Sequence, residues 1–525
     1  MASALSGYDI SALGDWKASV DKDRERAKNE HDIIIVGGGL GGLASGVVLS
    51  KNGYNVLLLE KNAALGGFAS GYTKDGYHFS YGAEDISGVW ERGCISYLLK
   101  RIGIKEEDLF TRNSVRYLID GQQLDIKEKS FQEVLKGKFS EHSEAIDRFF
   151  AKAKAVYDEV FDKDVTSTWG VPLRQSFLVK AMPKEWLSLY PKRHVNMLEW
   201  MDRSYQSVLD EYFENDEIKR ILCGLLGYVG ARASVTSATT VIASTFGYYF
   251  YGGYRPKGGP QRLCALLKES IEKNGGTVLT EHTVTSVLIS DNKIRGVCVQ
   301  DTEYVAPVVI ANVNAKTLYE KLIEKRDLPS GMYSEIAQLP MGKSSLLVHL
   351  GLTKELEAMT SLVKDMENRL YMIYTAKDPL SSPPHTSTLT LMRSALLSEF
   401  PSREDSSEAK AQDLIKTAEK TIPNLQSLTS DCDLVSHDGE KVTIRGLIKT
   451  KSVITPQIFE ELTGVPEGAI YTFDQGAVPK RPALKSPIEG LYLASASSYG
   501  GGVEAVVMAG IICAHDVSSW ERQSA

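Results

Sequence analysis

The sequence predicts an α/β chain in which a Rossmann-type nucleotide-binding domain is made discontinuous by an inserted mixed α+β domain. Three observations carry that expectation. A run of β-branched residues leads into a glycine-rich turn and a small-residue helix at residues 31–52. A second strand, glycine loop and helix pattern returns at residues 490–515. Between them lie a helix-rich stretch and segments that alternate apolar and polar residues. A chain of 525 residues has room for such an insertion, at roughly 150 residues per domain.

Composition narrows the classes. Hydrophobic residues make up 43% and charged residues 24%, as in ordinary globular proteins. The net charge of −7 speaks against a general nucleic-acid binder, which needs a basic surface. The cysteines are Cys94, Cys223, Cys264, Cys298, Cys432 and Cys513, and no two form a C-x-x-C pair. A disulfide scaffold, a zinc ribbon and a dithiol redox centre are therefore not expected, and no metal site is. The best apolar run, residues 241–254, is too short to span a bilayer and contains Gly247, Gly252 and Gly253. Residues 1–30 mix Asp and Glu with Lys and Arg and lack the apolar region of a signal peptide. They read as a polar lead-in with a short helix from Asp15, and an intracellular location, cytoplasmic or organellar, is expected.

The first element is the apolar strand at His31 to Val36. Gly37, Gly39 and Gly42 follow as G-x-G-x-x-G, with Gly38, Leu40 and Gly41 between them. A helix at Leu43 to Asn52 and a second buried strand at Asn55 to Leu59 come next, ending at Glu60. Gly37 suits the tight turn, Gly39 lets backbone approach a pyrophosphate, and Gly42 lets helix and strand pack closely. The helix N-terminus offers free N–H groups to the phosphates, and Glu60 can accept from both ribose hydroxyls. Past Lys61 stands a second glycine pair, Gly66-Gly67, followed by Phe68, Ala69 and Ser70. That E-x-x-x-x-x-G-G stretch resembles the extended fingerprint of FAD-binding flavoproteins. No second G-x-G-x-x-G follows, so a stable NAD(P)H domain is not expected.

Farther on, YRPKGGPQ (254–261) precedes a helix at Leu263 to Asn274 with Leu263, Leu266, Leu267 and Ile271 on one face. Gly275-Gly276 ends it, and Thr277 to Leu279 reads as a strand. Thr283 to Leu288 and Lys293 to Gln300 read as a pair joined at Ser290-Asp291-Asn292. If this unit shares the sheet, Val284 comes near the adenine end. Val305 to Ala311 is a further apolar strand, ending at Asn312. Near the end, Gly490 to Ala494 is a buried strand, Ser495 to Tyr499 a polar turn, and Gly500 to Gly502 a loop. The apolar helix from Val503 carries Glu504 in its first turn. Such a helix start stabilises an anion, and in a flavoprotein that anion is the reduced isoalloxazine. Ser495, Gly502 and Val503 are the candidate contacts.

These blocks together resemble the phytoene desaturase, carotenoid isomerase and retinol saturase group, within the amine-oxidase-like FAD flavoproteins. The carriers are Val36 to Tyr72, Asp75 to Ala83, the YRPKGGPQ block, Glu272 to Val287, Val309 to Ala315, Thr463 to Tyr471 and Gly490 to Gly510. The family often has glycine, or glycine plus an acid, where Ser495-Ala496 stand, and a small residue or proline where Glu504 stands. The resemblance implies FAD, hydride exchange with a C–C or C=C bond of a polyene lipid, and desaturation, saturation or isomerisation as the outcome. A quinone, oxygen or another diffusible carrier would complete a net redox cycle. A flavin amine oxidase is the runner-up enzyme, and a prenyl-lipid carrier of the same fold is the non-catalytic alternative. The resemblance divides the chain into a lead-in at 1–30 and nucleotide-binding parts at 31–115, 256–330 and 476–525. A helix-rich substrate and membrane-facing region takes 116–255, and a substrate sheet takes 331–475.

On the substrate side, residues 170–201 interleave Phe177, Trp186 and Leu187 with Lys180, Lys184, Lys192 and Arg193, a mixture suited to a lipid headgroup layer. Peripheral, monotopic membrane contact is expected from it. Tyr248, Tyr249, Tyr251 and Tyr254 are candidates for lining an apolar substrate tunnel. Lys343 to Gly351 and Ser387 to Arg393 alternate as half-buried strands would. Glu504 is the first candidate proton donor or acceptor beside the flavin, with Glu84 and Asp85 behind it.

Overall fold

The computed structural model describes residues 29–91, 93–126, 130–160, 194–376, 378–401, 405–423, 425, 432–435, 441–444, 446–474 and 481–524. Three separated parts of the chain build one parallel sheet. Its order is Leu491–Leu493, Val308–Ala311, Ile33–Val36, Val56–Leu59 and Thr277–Leu279. Ile33–Val36 is buried on both faces, as its unbroken apolar run requires. Ile33 and Ile35 face the helices Leu40–Lys51, Pro260–Lys273 and Val503–Ser524. Ile34 and Val36 face the antiparallel strands Val284–Ser290, Lys293–Val299 and Thr302–Val305. Asp291 and Asn292, at φ 53° and 60°, make the tight hairpin turn between the first two of these.

The chain leaves Ile33–Val36 for Val56–Leu59 on one side and returns to Val308–Ala311 on the other. That reversal opens a crevice at the strand's carboxyl end, where open α/β sheets bind ligands. Residues 37–42 occupy it.

The second large sheet has seven strands. Its order is Ile448–Ile454, Ser344–Leu352, Ser387–Ala395, Leu370–Ala376, Leu362–Asp365, Val115–Ile119 and Gln122–Ile126. The last two strands differ from the helix-rich reading of 116–255. They form because Val115–Ile119 pairs in parallel with Leu362–Asp365, a partner remote in sequence. Ser344–Leu352 is also not half-buried, since all nine residues are enclosed. Leu346, Val348, Leu350 and Leu352 pack in one cluster with Ala411, Leu414 and Ile415, while Leu347 packs on Phe459 across the sheet. Alternation there separates two cores, not core from water.

Helices packed against the Val115–Ile119 and Gln122–Ile126 end of the seven-stranded sheet enclose a third core. Phe149, Phe150, Trp200, Phe213 and Phe246 meet in it, with Phe149 and Phe246 ring centroids 5.9 Å apart in an edge-to-face arrangement. Ser130 and Glu133 close a capping box at one helix start, and Ser204, Asn215 and Ser237 cap others. No helix among the described residues is long and apolar enough to cross a membrane. The interfacial segment expected at Phe177 to Arg193 lies outside the described residues. Its continuation, helix Val195–Met201, buries Met197 and Trp200 in the third core.

Candidate functional site

The glycine turn, the second glycine pair and the seven-stranded sheet border one cavity of about 460 Å³. At one end lie Gly37, Gly39, Leu40, Gly41, Glu60, Lys61 and Val284. In the middle come Gly66, Gly67, Phe68, Ser495, Gly502 and Val503. At the far end the walls are Leu347, Leu362, Lys364, Tyr371, Met372 and Met392. Most of the expected cofactor residues therefore share one lining.

Gly38, Gly42 and Ser70 do not, and each has a local task. Gly38 N–H donates to Glu60 Oε2 at 2.7 Å. A Cβ on Gly42 would sit 2.2 Å from the Gly37 carbonyl oxygen, so only glycine lets helix and turn close. Ser70 Oγ donates to the Gly67 carbonyl at 2.6 Å, fixing the second glycine turn.

Glu60 is buried and oriented before any ligand arrives. Its Oε2 is held by Gly38, and its Oε1 accepts from Asn62 N–H at 2.8 Å. Burial lowers the Lys61 pKa, with the Glu60 charge opposing. Asn312 Nδ2 donates to the Gly37 carbonyl at 3.3 Å and closes the other flank of the turn. Sequence reasoning placed Asn312 only as a strand end.

The backbone is bare toward the cavity at Gly67 and Gly502. Both have left-handed φ, +57° and +105°, and a Cβ on either would meet nothing within 4 Å. Such glycines leave room for an extended ligand to lie directly on main chain. Together with the oriented acid and the helix N-terminus at Val503, they fit a dinucleotide laid along the cavity.

The candidate acids separate. Glu84 is absent from the cavity wall. Its Oε2 accepts from Arg255 Nε at 2.5 Å and its Oε1 from Ser80 Oγ at 2.5 Å, inside an ion-pair network that includes Asp378. Those bonds occupy it structurally, which corrects its reading as an acid beside the reaction. Asp85 lines the cavity instead and accepts from Asn113 Nδ2 at 2.8 Å. Burial raises its pKa, against the Lys364 charge and the bonds from Asn113 and Tyr228.

Glu504 borders a smaller side cavity of about 90 Å³ with Ser87, Thr239, Thr240, Ser244 and Tyr499. Tyr228, Tyr248, Gly502 and Val503 line both cavities. Ser87 Oγ donates to Glu504 Oε2 at 2.5 Å. Burial raises the Glu504 pKa, and the Ser87 bond works against it.

Of the four tyrosines, Tyr248 alone lines the main cavity. Tyr249 stacks on Phe131 at 4.0 Å, and its hydroxyl donates to the Leu222 carbonyl. Tyr251 stacks on Trp90 at 4.2 Å, and the Tyr254 hydroxyl donates to the Tyr251 carbonyl. Tyr249 leaves the helix Ala238–Tyr251 about 100° round from Tyr248 and so faces another side, whereas Tyr251 shares the side of Tyr248 and its ring is taken up by the Trp90 stack.

Lys364 was not foreseen. It is 1% exposed in the strand Leu362–Asp365, and it lines the cavity. Burial lowers its pKa to about 8, opposed by Asp85. A lysine inside so short an apolar strand was a signal that periodicity did not register.

A family model described as flavin containing amine oxidoreductase matches residues 40–518. The all-trans-retinol 13,14-reductase of Danio rerio is 25% identical, covering 89% of this chain and 82% of its own length. The chloroplastic prolycopene isomerase of Daucus carota is 23% identical, covering 95% and 83%. Among solved structures, an oxidoreductase from Methanosarcina mazei aligns with a TM-score of 0.62 at 17% identity, over 93% of this chain and 100% of that one. A putrescine oxidase triple mutant aligns with a TM-score of 0.60 at 17% identity, over 94% and 99%. At those identities the structural likeness shows the fold.

Proposed function

Because the chain belongs to the flavin containing amine oxidoreductase family, and is thus a flavin-dependent oxidoreductase, we propose that it binds FAD and acts on C–C or C=C bonds of a hydrophobic polyene. The observation that carries this is the single cavity running from the Glu60 end to the apolar face of the seven-stranded sheet. The sequence relatives are named for a retinoid and a carotenoid, and they align over most of both chains. An amine substrate fits less well, since its ammonium would meet the buried charge of Lys364.

Bound there, the flavin would supply hydride transfer. The chain's own residues bind and orient. Gly39 admits the pyrophosphate, and Glu60 holds the ribose. The helix start at Val503 places N–H groups where negative charge accumulates. Leu347, Met372, Ile373 and Met392 keep the far end dry and give an extended apolar chain a fixed path.

Purified protein is expected to be yellow, to release FAD on denaturation, and to carry extractable polyene. Anaerobic addition of that polyene should change the flavin absorbance. Colourless protein from flavin-replete cells, or a flavin other than FAD, would defeat the reading.

Glu504 serves as the proton store of this site. Its place on a side cavity next to the main one, its Ser87 partner and its raised pKa support that role. Glu504→Gln should keep FAD bound and slow turnover by about 10²-fold, removing one limb of the pH–rate profile. An unchanged profile would reduce Glu504 to a helix-capping acid.

A further inference from the structure

Glu504 borders the side cavity and not the main one, where the ligands assigned above are held. A proton store in that position needs two links, one to solvent and one to the main cavity.

The outer link is the side cavity itself. Glu504 is half-buried, so a water-sized molecule reaches it although protein packs around it. Thr240, Ser244 and Tyr499 line the same space with hydroxyl-bearing side chains, and about 90 Å³ has room for a short chain of waters. Ala231 lies on that wall between the exposed Gly230 and Arg232, which puts the wall at the protein surface.

The inner link is a pair of hydroxyls. Buried Ser87 donates from Oγ to Glu504 Oε2 at 2.5 Å, and it is also a hydrogen-bond partner of the Tyr248 hydroxyl. Tyr248 lines both cavities. Its O–H points to the Asp85 carbonyl at 3.0 Å and turns toward Ser87 by rotation about one C–O bond. The titratable neighbours of Glu504 are Cys94, Tyr157 and Tyr248. Burial first, and nearby carboxylates after it, raise the pKa of all three, so they stay protonated at neutral pH. Among the described residues no cation offsets the Glu504 charge. Glu504 is therefore the acid of this cluster that can trade a proton.

We propose that the side cavity holds water and is the port through which protons pass between solvent and the main cavity, by way of Glu504, Ser87 and Tyr248. The proposal rests on the proton role given to Glu504 above and supplies its route. In an outward passage the Tyr248 oxygen takes a proton from the main cavity and gives its own to Ser87. Ser87 gives its own to Glu504, which yields one to water. Each oxygen forms one O–H bond and breaks one, and no electrons move. Uptake runs in reverse.

Two measurements test the two links. For the inner link, the polyene extracted from the purified protein is added anaerobically to flavin-loaded protein, and the flavin absorbance is followed in a stopped flow. Ser87→Ala and Tyr248→Phe should each slow the change by about 10²-fold, as Glu504→Gln does. Ser87→Ala combined with Glu504→Gln should be no slower than either alone, because the groups act in series. Ser87→Thr keeps the hydroxyl and should restore the rate. For the outer link, the Glu504 carboxyl band in the infrared is the one that Glu504→Gln removes. Its shift on dilution into D₂O should be fast in the unaltered protein. Ala243→Leu fills the side cavity without touching the relay and should slow that shift, since exchange then waits for local opening. Ser244→Leu repeats the comparison should Ala243→Leu fail to fold. Full rates in both Ser87→Ala and Tyr248→Phe overturn the route and leave the proton role of Glu504 standing. An exchange that neither leucine slows overturns the port. An unchanged rate in Glu504→Gln overturns the proton role and the proposal with it.

Discussion

Gly39→Val is expected to purify colourless, with flavin affinity reduced by at least about 10²-fold. Gly39 is the cleanest probe in the turn because its backbone is ordinary, at φ −70° and ψ 173°. Any residue adopts that conformation, so the substitution adds no backbone strain. It adds only bulk. A Cβ there would stand 2.7 Å from Asn312 Nδ2, a side chain able to shift, and the valine methyls would reach into the cavity mouth. Its neighbours are poorer probes. Gly37 has φ +100°, and a Cβ on Gly42 would strike the Gly37 carbonyl, so changes at either test the fold together with the site. Glu60→Ala is the companion variant. It removes the acceptor for the ribose and also the partner of the Gly38 and Asn62 N–H groups, at about 1.5–3 kcal/mol per charged hydrogen bond. The ratio of flavin to protein absorbance reads both variants. Full occupancy in both would remove the dinucleotide from this end of the cavity.

The glycine turn was legible in sequence because everything it depends on is local. A buried strand, three glycines at fixed spacing and one acid after the next strand leave few other arrangements. The parallel sheet was legible for a related reason. Val308–Ala311 and Leu491–Leu493 are short and apolar throughout, as strands covered on both faces must be. The far end of the cavity was not legible, since it depends on pairing between remote segments. Nothing local to Val115–Ile119 announces that it will lie beside Leu362–Asp365, and that pairing is what brings Lys364 against Tyr117. The acids make the point at single-residue scale. Glu84 and Asp85 are neighbours of similar chemistry, and sequence nominated both. Which one meets Arg255 and which one meets the cavity depends on the direction of two consecutive side chains, and the Ile86–Tyr254 bridge next to them sets that direction.

That neighbouring pair makes Arg255 the residue whose loss should cost the fold most. Arg255→Met is expected to destabilise the protein by about 3–5 kcal/mol, the penalty for leaving buried charges without their partner. Arg255 is 8% exposed and donates in three directions: to Glu84 Oε2 at 2.5 Å, Asp378 Oδ2 at 2.7 Å and Ser381 Oγ at 3.0 Å. Burial works against its charge, but Glu84 and Asp378 outweigh that and hold it protonated. Methionine keeps much of the length and removes the charge, so Glu84 and Asp378 would remain inside with Ser80, Ser381 and the Gly258 and Leu380 N–H groups to satisfy them and no positive partner. The cost should depend on pH in a definite sense. Burial raises the Asp378 pKa, yet the Gly258 N–H and the Arg255 guanidinium more than reverse this and hold it below the usual aspartate value. A depressed pKa in the folded state contributes stability that is complete above the unfolded value of about 3.9 and lost as pH falls through the folded value. The urea midpoints of Arg255→Met and the unaltered protein should therefore stand furthest apart near pH 7 and converge below about pH 4. A gap that is constant with pH would mean that Arg255 acts through packing. The network also joins the Tyr77–Ser80 hairpin, the strand Tyr254–Pro256 and the 378–381 loop, and so fixes the segment that carries Asp85.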